Sequence, residues 1–213
     1  MSKPVRIEII SDPVCPWCYI GGRRLGRALA SRPELAAEVH WLPFQLSPDL
    51  PREGKDRHEH YASIFGAERA ATIMAGMAER GREDGIAFQV KPGARSPHTL
   101  AAQVLLFWAG QQDGIDQAAV AEALFAAHHE ACEDIGDPVV LARIAGAHGM
   151  DAGQVLADLR AGKDEDVVIA QIDELRKLGI GGVPFFIFDR RLAVSGAQPP
   201  EAFLEVLDQI AAG

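Results

Sequence analysis

The chain has 213 residues, 48% of them hydrophobic and 24% charged, an ordinary globular composition with enough length for one large domain or one domain carrying a sizeable insertion. Its formal net charge of −9 repels a phosphate backbone and no basic cluster escapes the average, so nucleic acid is not an expected partner. The longest purely apolar stretch, Val104 to Ala109, is far below the roughly 18 residues of a membrane span. Met1 to Pro4 lead straight into a strand-like run without an apolar leader, so the expectation is a cytoplasmic protein with no membrane partner.

Val5, Ile7 and Ile9 alternate with Arg6, Glu8 and Ile10, a strand by its period of two. Ser11-Asp12-Pro13 breaks it, and a helix is predicted from Pro16 to about Ser31, weakened by Gly21-Gly22 and ended by Pro33. A second strand is predicted over Val39 to Leu46, with His40, Leu42 and Phe44 on one face. From about 56 to 178 the chain is rich in alanine and poor in β-branched residues. Helices are expected over 57–84, 98–112, 116–131, 138–148, 151–161 and 164–178, the last with Gly179 as the residue past its end. Phe185-Phe186-Ile187-Phe188 then reads as a sheet-centre strand, Leu192 to Ser195 as a short strand after the Asp189-Arg190-Arg191 turn, and Pro199-Pro200 opens a final helix facing Phe203, Leu207 and Ile210 to the core. The order is strand, helix, strand, helical block, strand, strand, helix. It predicts an α/β unit of residues 1–47 and 180–213 with an all-helical insertion over 48–179.

Only three cysteines are present, Cys15, Cys18 and Cys132, too few for a structural disulfide framework. Cys15-Pro16-Trp17-Cys18 follows the first strand and opens the first helix. Its cysteines stand at i and i+3 across a helix start, where two sulfurs can meet in a small ring. Cys15 takes the N-cap position and Pro16 the first helical position, where a missing N–H costs nothing. The orphan N–H groups and positive end of the helix favour a thiolate on Cys15. Cys18, one turn inside, receives less of this. Cys15 is therefore expected to attack and Cys18 to resolve. Half a zinc site is the bland alternative, but no second C-x-x-C or C-x-x-H supplies the remaining ligands, and no metal is expected. A second signal is Gly181-Gly182-Val183-Pro184 before the apolar strand. A proline opening a central strand needs a reason, and in thioredoxin-like folds, which its combination with Cys15-Pro16-Trp17-Cys18 resembles, that reason is a cis bond, here Val183–Pro184, beside the cysteine pair.

Ser11-Asp12-Pro13-Val14-Cys15-Pro16-Trp17-Cys18-Tyr19-Ile20-Gly21, Phe44-Gln45-Leu46-Ser47-Pro48-Asp49, Gly182-Val183-Pro184-Phe185-Phe186-Ile187-Phe188 and Ser195-Gly196-Ala197-Gln198-Pro199-Pro200 together resemble the DsbA-like family. The resemblance is to the group holding FrnE-type oxidoreductases and 2-hydroxychromene-2-carboxylate isomerases, and it spans nearly the whole chain. It implies a thioredoxin-like fold with a helical insertion capping the active site, and a dithiol mechanism. A homodimer is compatible with that fold. One segment departs. Relatives tend to read Pro-Asn-Thr/Ser and then Asp-Ala-His-Arg where this chain reads Pro97-His98-Thr99-Leu100-Ala101-Ala102-Gln103-Val104, which puts inherited substrate or glutathione contacts in doubt.

His98 is expected to line the cleft, where an imidazole would steady the Cys15 thiolate or shuttle a proton; the alternative is a solvent-facing side chain at a helix start. Trp17 either forms an apolar rim for substrate or packs on the insertion. His128-His129-Glu130-Ala131-Cys132-Glu133 places His129, Cys132 and Glu133 on one helical face, yet a polar helix end is the better reading, with Cys132 a bystander thiol. His58-Glu59-His60 has i, i+2 spacing and reads as solvated surface. The expectation is a thiol–disulfide oxidoreductase passing through a mixed disulfide on Cys15, with Pro16, Trp17, His98, Val183 and Pro184 meeting the substrate and no organic cofactor. Its partners would be protein or small-molecule thiols and disulfides, glutathione among them. The rivals are a glutathione-dependent isomerase or transferase on aromatic compounds, for which Cys18 has no task, and a non-catalytic chaperone-like module.

Overall fold

The computed structural model describes residues 4–211. Its central sheet has four strands in the order β2 (Ala37–Pro43), β1 (Val5–Ser11), β5 (Phe185–Phe188) and β6 (Leu192–Ser195). β2 runs parallel to β1, while β5 and β6 pair antiparallel. The β1–β2 connection is α1 (Pro16–Ala30), as a parallel crossover requires. β2 ends at Pro43, three residues before the predicted boundary, because a proline cannot extend the ladder; one further bond, from Phe44 N–H to the Ser11 carbonyl, follows it.

β5 is apolar throughout because both of its faces are covered. Phe186 and Phe188 are fully buried against Phe203 of α9 (Pro200–Ala211), with ring centroids 4.8 and 6.4 Å apart. Phe185 and Ile187 turn to the opposite face, toward Leu175 and Ile180. Burying a phenylalanine such as Phe203 contributes about 1.5–3 kcal/mol.

Between β2 and β5 lie α2 (Arg57–Phe65), α3 (Ala67–Glu83), α4 (Leu100–Gln111), α5 (Gln117–His129), α6 (Pro138–Ala147), α7 (Ala152–Arg160) and α8 (Glu165–Lys177). The predicted helix over 57–84 is broken at Gly66, whose φ of +80° is closed to most side chains. Two-residue strands β3 (Lys55–Asp56) and β4 (Arg95–Ser96), absent from the sequence expectation, pair at the base of α2. α8 ends in the predicted way, with Gly179 at φ +88°. Helix α5 stops at His129, and Cys132 lies beyond it at φ +59°, so His129, Cys132 and Glu133 do not share a helical face. Buried apolar side chains of β1, α1 and α9 belong to one hydrophobic cluster with those of α4, α5, α6 and α8, while Ile10 and Leu175 pack in a second one with Phe44 and Ile180. Among the described residues no helix is long and apolar enough to cross a membrane.

Candidate functional site

The end of β1 and the start of α1 bring the two cysteines to the carboxyl edge of the sheet. Cys15 is the N-cap of α1 with extended backbone (φ −83°, ψ 113°), and Pro16 begins the helix. The Cys15 N–H donates to the Asp12 carbonyl at 2.9 Å, and the Cys15 carbonyl accepts from Cys18 N–H at 3.1 Å, which fixes the turn between the thiols. Both thiols are free; Cys15 is 4% exposed and Cys18 fully buried. The Val183–Pro184 peptide is cis, and the Cys15 thiol lies 3.8 Å from the Val183 carbonyl, its acceptor. α1 reaches this loop because Gly21 has no side chain. A Cβ there would stand 3.0 Å from the Phe186 ring and 3.2 Å from Pro184.

Burial pushes the Cys18 thiol well above its ordinary range, reinforced by the hydrogen bond and charge of Cys15. Asp12, fully buried, is the other perturbed acid of the loop. Burial raises its carboxyl to about 6 even though Leu46 N–H at 2.8 Å, Val14 N–H at 3.4 Å and the Thr99 hydroxyl donate to it.

Beside Cys15 opens a cleft of about 520 Å3. Its floor carries Asp12, Val14, Cys15 and Pro16, and Trp17, 40% exposed, stands at its rim. α2 and α3 form the facing wall, bringing His60, Tyr61 and Arg80. His60 is half-buried with its Nε2 3.4 Å from the Ser47 hydroxyl, so the solvated reading of 58–60 holds for the exposed His58 and not for His60. The ring of His98 does not face Cys15. It lines a separate pocket with Arg52, Glu53, Arg160 and Glu165, while its neighbour Thr99 faces the redox cleft. Successive residues at a helix start point about 100° apart, and the helix phase selects Thr99.

The polar helix end expected at 128–130 is instead buried. His129 lies between the Phe125, Tyr19 and Phe88 rings and places its Nε2 3.1 Å from the Pro13 carbonyl, in the loop that leads to Cys15. Burial, then the charge of Arg57, lowers its imidazole to about 3. His128, at the cleft wall, is likewise held neutral by burial. The buried Arg57 guanidinium donates to the carbonyls of Arg95 and His128, both at 3.2 Å, and abuts the His128 ring. Gln103, also buried, donates to the Ser11 and Phe44 carbonyls at 2.9 and 2.6 Å.

The arrangement offers a thiol at a cleft floor, a second thiol one turn behind it and a buried carboxyl raised to about 6. The cysteines, Pro16, Trp17, Val183 and Pro184 are gathered in one place; His98 is not. Asp12, His60, Tyr61, Arg80, His128 and His129 were not singled out for this site from sequence. Of these only Asp12, three residues before Cys15, carried a local signal.

Solved structures share this architecture. A Streptomyces coelicolor chain described as a probable DsbA oxidoreductase is 30% identical over 98% of this chain and 90% of that one, with a TM-score of 0.85. A 2-hydroxychromene-2-carboxylate isomerase (13% identity, 97% and 95% covered, TM-score 0.67) and the cytosolic disulfide reductase DsbM of Pseudomonas aeruginosa with GSH (18%, 98% and 100%, TM-score 0.60) share the fold. The uncharacterized protein YwbO of Bacillus subtilis is 39% identical over 44 residues, which span 21% of this chain and 20% of that one. The DSBA-like thioredoxin domain pattern matches residues 6–208. With that match running over almost its whole length, the chain belongs to the DSBA-like thioredoxin domain family.

Proposed function

We propose that the protein is a thiol–disulfide oxidoreductase working through Cys15 and Cys18. The observation that carries this reading is the position of the Cys15 sulfur. It sits at the N-cap of α1, on the floor of a cleft and 3.8 Å from the Val183 carbonyl, with Cys18 one turn behind it. In the reducing direction the Cys15 thiolate attacks one sulfur of a substrate disulfide, and the other sulfur leaves as a thiolate. The Cys18 sulfur, after losing its proton, attacks Cys15 Sγ and expels the second substrate thiolate. The protein is left as the Cys15–Cys18 disulfide, and two electrons have passed to the substrate. The buried Cys18 thiol resists ionisation, so the second step needs a proton acceptor; Asp12, ionised at neutral pH, is the buried carboxylate of the same loop. Val183 and Pro184 would dock a substrate strand-wise across the loop, with Pro16 and Trp17 at its side. A low-molecular-weight thiol such as glutathione would return the pair to its reduced form in a cytoplasmic setting.

Insulin reduction in dithiothreitol tests the reading, with wild type beside Cys15→Ser. Acceleration by wild type and none by the serine variant is the expected result. If wild type accelerates neither insulin nor a small disulfide, the dithiol reading fails, and the glutathione-dependent isomerase or transferase takes its place.

A further inference from the structure

The cleft wall opposite the redox loop is built differently from the cis-proline side. Ile64, Phe65, Ile73 and Met77 of α2 and α3 face Trp17 and Leu46 across the cavity. Its volume of about 520 Å3 falls within the roughly 300–1,000 Å3 of pockets that hold small organic molecules. An extended peptide seeks backbone donors and acceptors, which this apolar wall does not present; a compact apolar molecule needs none.

One cation stands in this wall. The Arg80 guanidinium carbon lies 5.7 Å from the centroid of the Trp17 ring, a cation–π arrangement between the redox motif and α3. Gly76, one turn earlier on α3, leaves the room for it: Arg80 Nη1 is 3.1 Å from where a Cβ on Gly76 would stand. Arg24 and Arg27 share Asp84, and Arg23 pairs with Glu122. Among the described residues Arg80 has no carboxylate partner. A planar guanidinium held on an aromatic face, at the mouth of an apolar cavity and without an anion, matches a carboxylate through two parallel N–H donors. With a protein net charge of −9, such a preference has to be local to this side chain.

We propose that the cleft takes small apolar disulfides bearing a carboxylate, with Arg80 as the residue that selects for the charge. This rests on the thiol–disulfide reading above. The substrate's apolar body fills the space between Trp17 and α3, its carboxylate meets Arg80, and its disulfide lies on Cys15. Cys15 Sγ bonds to the nearer sulfur and one thiolate leaves. Cys18 then displaces the second thiolate and the protein is left as the Cys15–Cys18 disulfide, so pre-reduced protein freed of dithiothreitol passes two electrons to the aryl disulfide in a single turnover.

The test compares two aryl disulfides of similar size, dithiobis(nitrobenzoic acid), which is carboxylated, and dithiodipyridine, which is neutral, alongside insulin. Wild type, Arg80→Gln, Arg80→Lys and Arg69→Gln are assayed. Arg69→Gln removes the same charge from a part of α3 outside the cleft. Arg80→Gln is expected to lower the second-order rate constant for the carboxylated disulfide by about tenfold to 150-fold, the range of a charge-assisted hydrogen-bonded contact. The neutral disulfide should change by less than about twofold on the same footing, Arg80→Lys should recover part of the loss, and Arg69→Gln should behave as wild type. Equal effects of Arg80→Gln on both aryl disulfides, or an equal effect of Arg69→Gln on the carboxylated one, would overturn the assignment of Arg80. Cys15-dependent reduction of insulin without acceleration of either aryl disulfide would overturn the substrate class and leave the dithiol reading standing. No Cys15-dependent turnover of any of the three removes the dithiol reading and this inference with it.

Discussion

Replacing Asp12 by asparagine should stabilise the protein at neutral pH and do nothing for it in acid. The Asp12 carboxyl titrates near 6 in the fold against an ordinary value of 3.8, with burial as the main cause. A folded value above the unfolded one means that the folded state holds its proton more tightly. The associated stability is complete below about pH 3.8 and is lost as pH rises through about 6. A difference of about two pH units is worth about 3 kcal/mol. Asparagine removes that loss but offers one acceptor where the carboxylate offers two. The short bond from Leu46 N–H survives, and the 3.4 Å bond from Val14 N–H is given up at a cost of about 1 kcal/mol. The net expectation for Asp12→Asn is a gain of about 2 kcal/mol at pH 7.5, shrinking to a loss of about 1 kcal/mol at pH 4. Urea unfolding of both proteins at half-unit intervals, with the thiols kept reduced, measures the difference at each pH. The difference cancels the contributions of His128 and His129, which have the opposite slope. Parallel curves from pH 4 to 7.5 would show that Asp12 does not titrate in this range and would refute the reasoning.

The acid side carries its own prediction. His129 titrates at about 3 in the fold, below its ordinary 6.5, so beneath pH 6.5 the unfolded chain takes up a proton that the folded one refuses. Wild type should lose about 1.4 kcal/mol per pH unit on this account, and His129→Gln should show a slope smaller by that amount in the same urea series, whatever its absolute stability. Cys18→Ser should accumulate a covalent adduct of Cys15 with a disulfide substrate, seen as one added substrate mass that dithiothreitol removes; rapid turnover without such an adduct would exclude Cys18 as the resolving thiol. Gln103→Leu leaves the Phe44 carbonyl without the 2.6 Å bond from Gln103, while the Ser11 carbonyl keeps Phe44 N–H. It should cost about 1–3 kcal/mol in urea unfolding, and a loss below about 0.5 kcal/mol would mean that water replaces the amide.

The elements whose evidence is local were legible from sequence. Strand β1 follows from its alternation, α1 from Pro16 after a strand, the end of α8 from Gly179, and the meeting of Cys15 with Pro184 from two motifs that each need the other. Where long-range packing decides, local pattern was insufficient. The i, i+2 spacing of His58 and His60 separates their rings, but only the docking of α2 decides which of them lines the cleft beside Cys15. At the start of α4 the sequence reading gives His98 to the loop before Cys15, whereas the phase of the helix gives it Thr99. His128 and His129 resemble a polar helix end because nothing nearby announces the Phe125, Tyr19 and Phe88 rings around His129. Gly66 costs a helix only about 1 kcal/mol relative to alanine, so a break there was indistinguishable from a tolerated glycine until its φ was known.

These long-range contacts bear on what the helical block does for the redox loop. Residues 11–15 satisfy the Asp12 carbonyl and part of its carboxylate from within, through Cys15 and Val14 N–H, and leave the Ser11 and Pro13 carbonyls and the rest of the carboxylate to other segments. Gln103 serves the Ser11 carbonyl, His129 the Pro13 carbonyl, and Thr99 and Leu46 the Asp12 carboxyl. Three of those four residues, Thr99, Gln103 and His129, come from α4 and α5 of the helical block or cap them. The same segment supplies the cleft wall that carries His60, Tyr61 and Arg80. A block that only covered the site could hinge away from it without consequence. This one holds the polypeptide on which Cys15 stands: displacing the end of α5 would leave the Pro13 carbonyl without its His129 partner at about 1–3 kcal/mol, and displacing α4 would take one hydrogen bond each from the Ser11 carbonyl and the Asp12 carboxyl, which keep Phe44, Leu46 and Val14. α2 and α3 line the cleft and contribute none of these bonds, so the support of the loop comes from α4 and α5 and the shape of the cleft from α2 and α3.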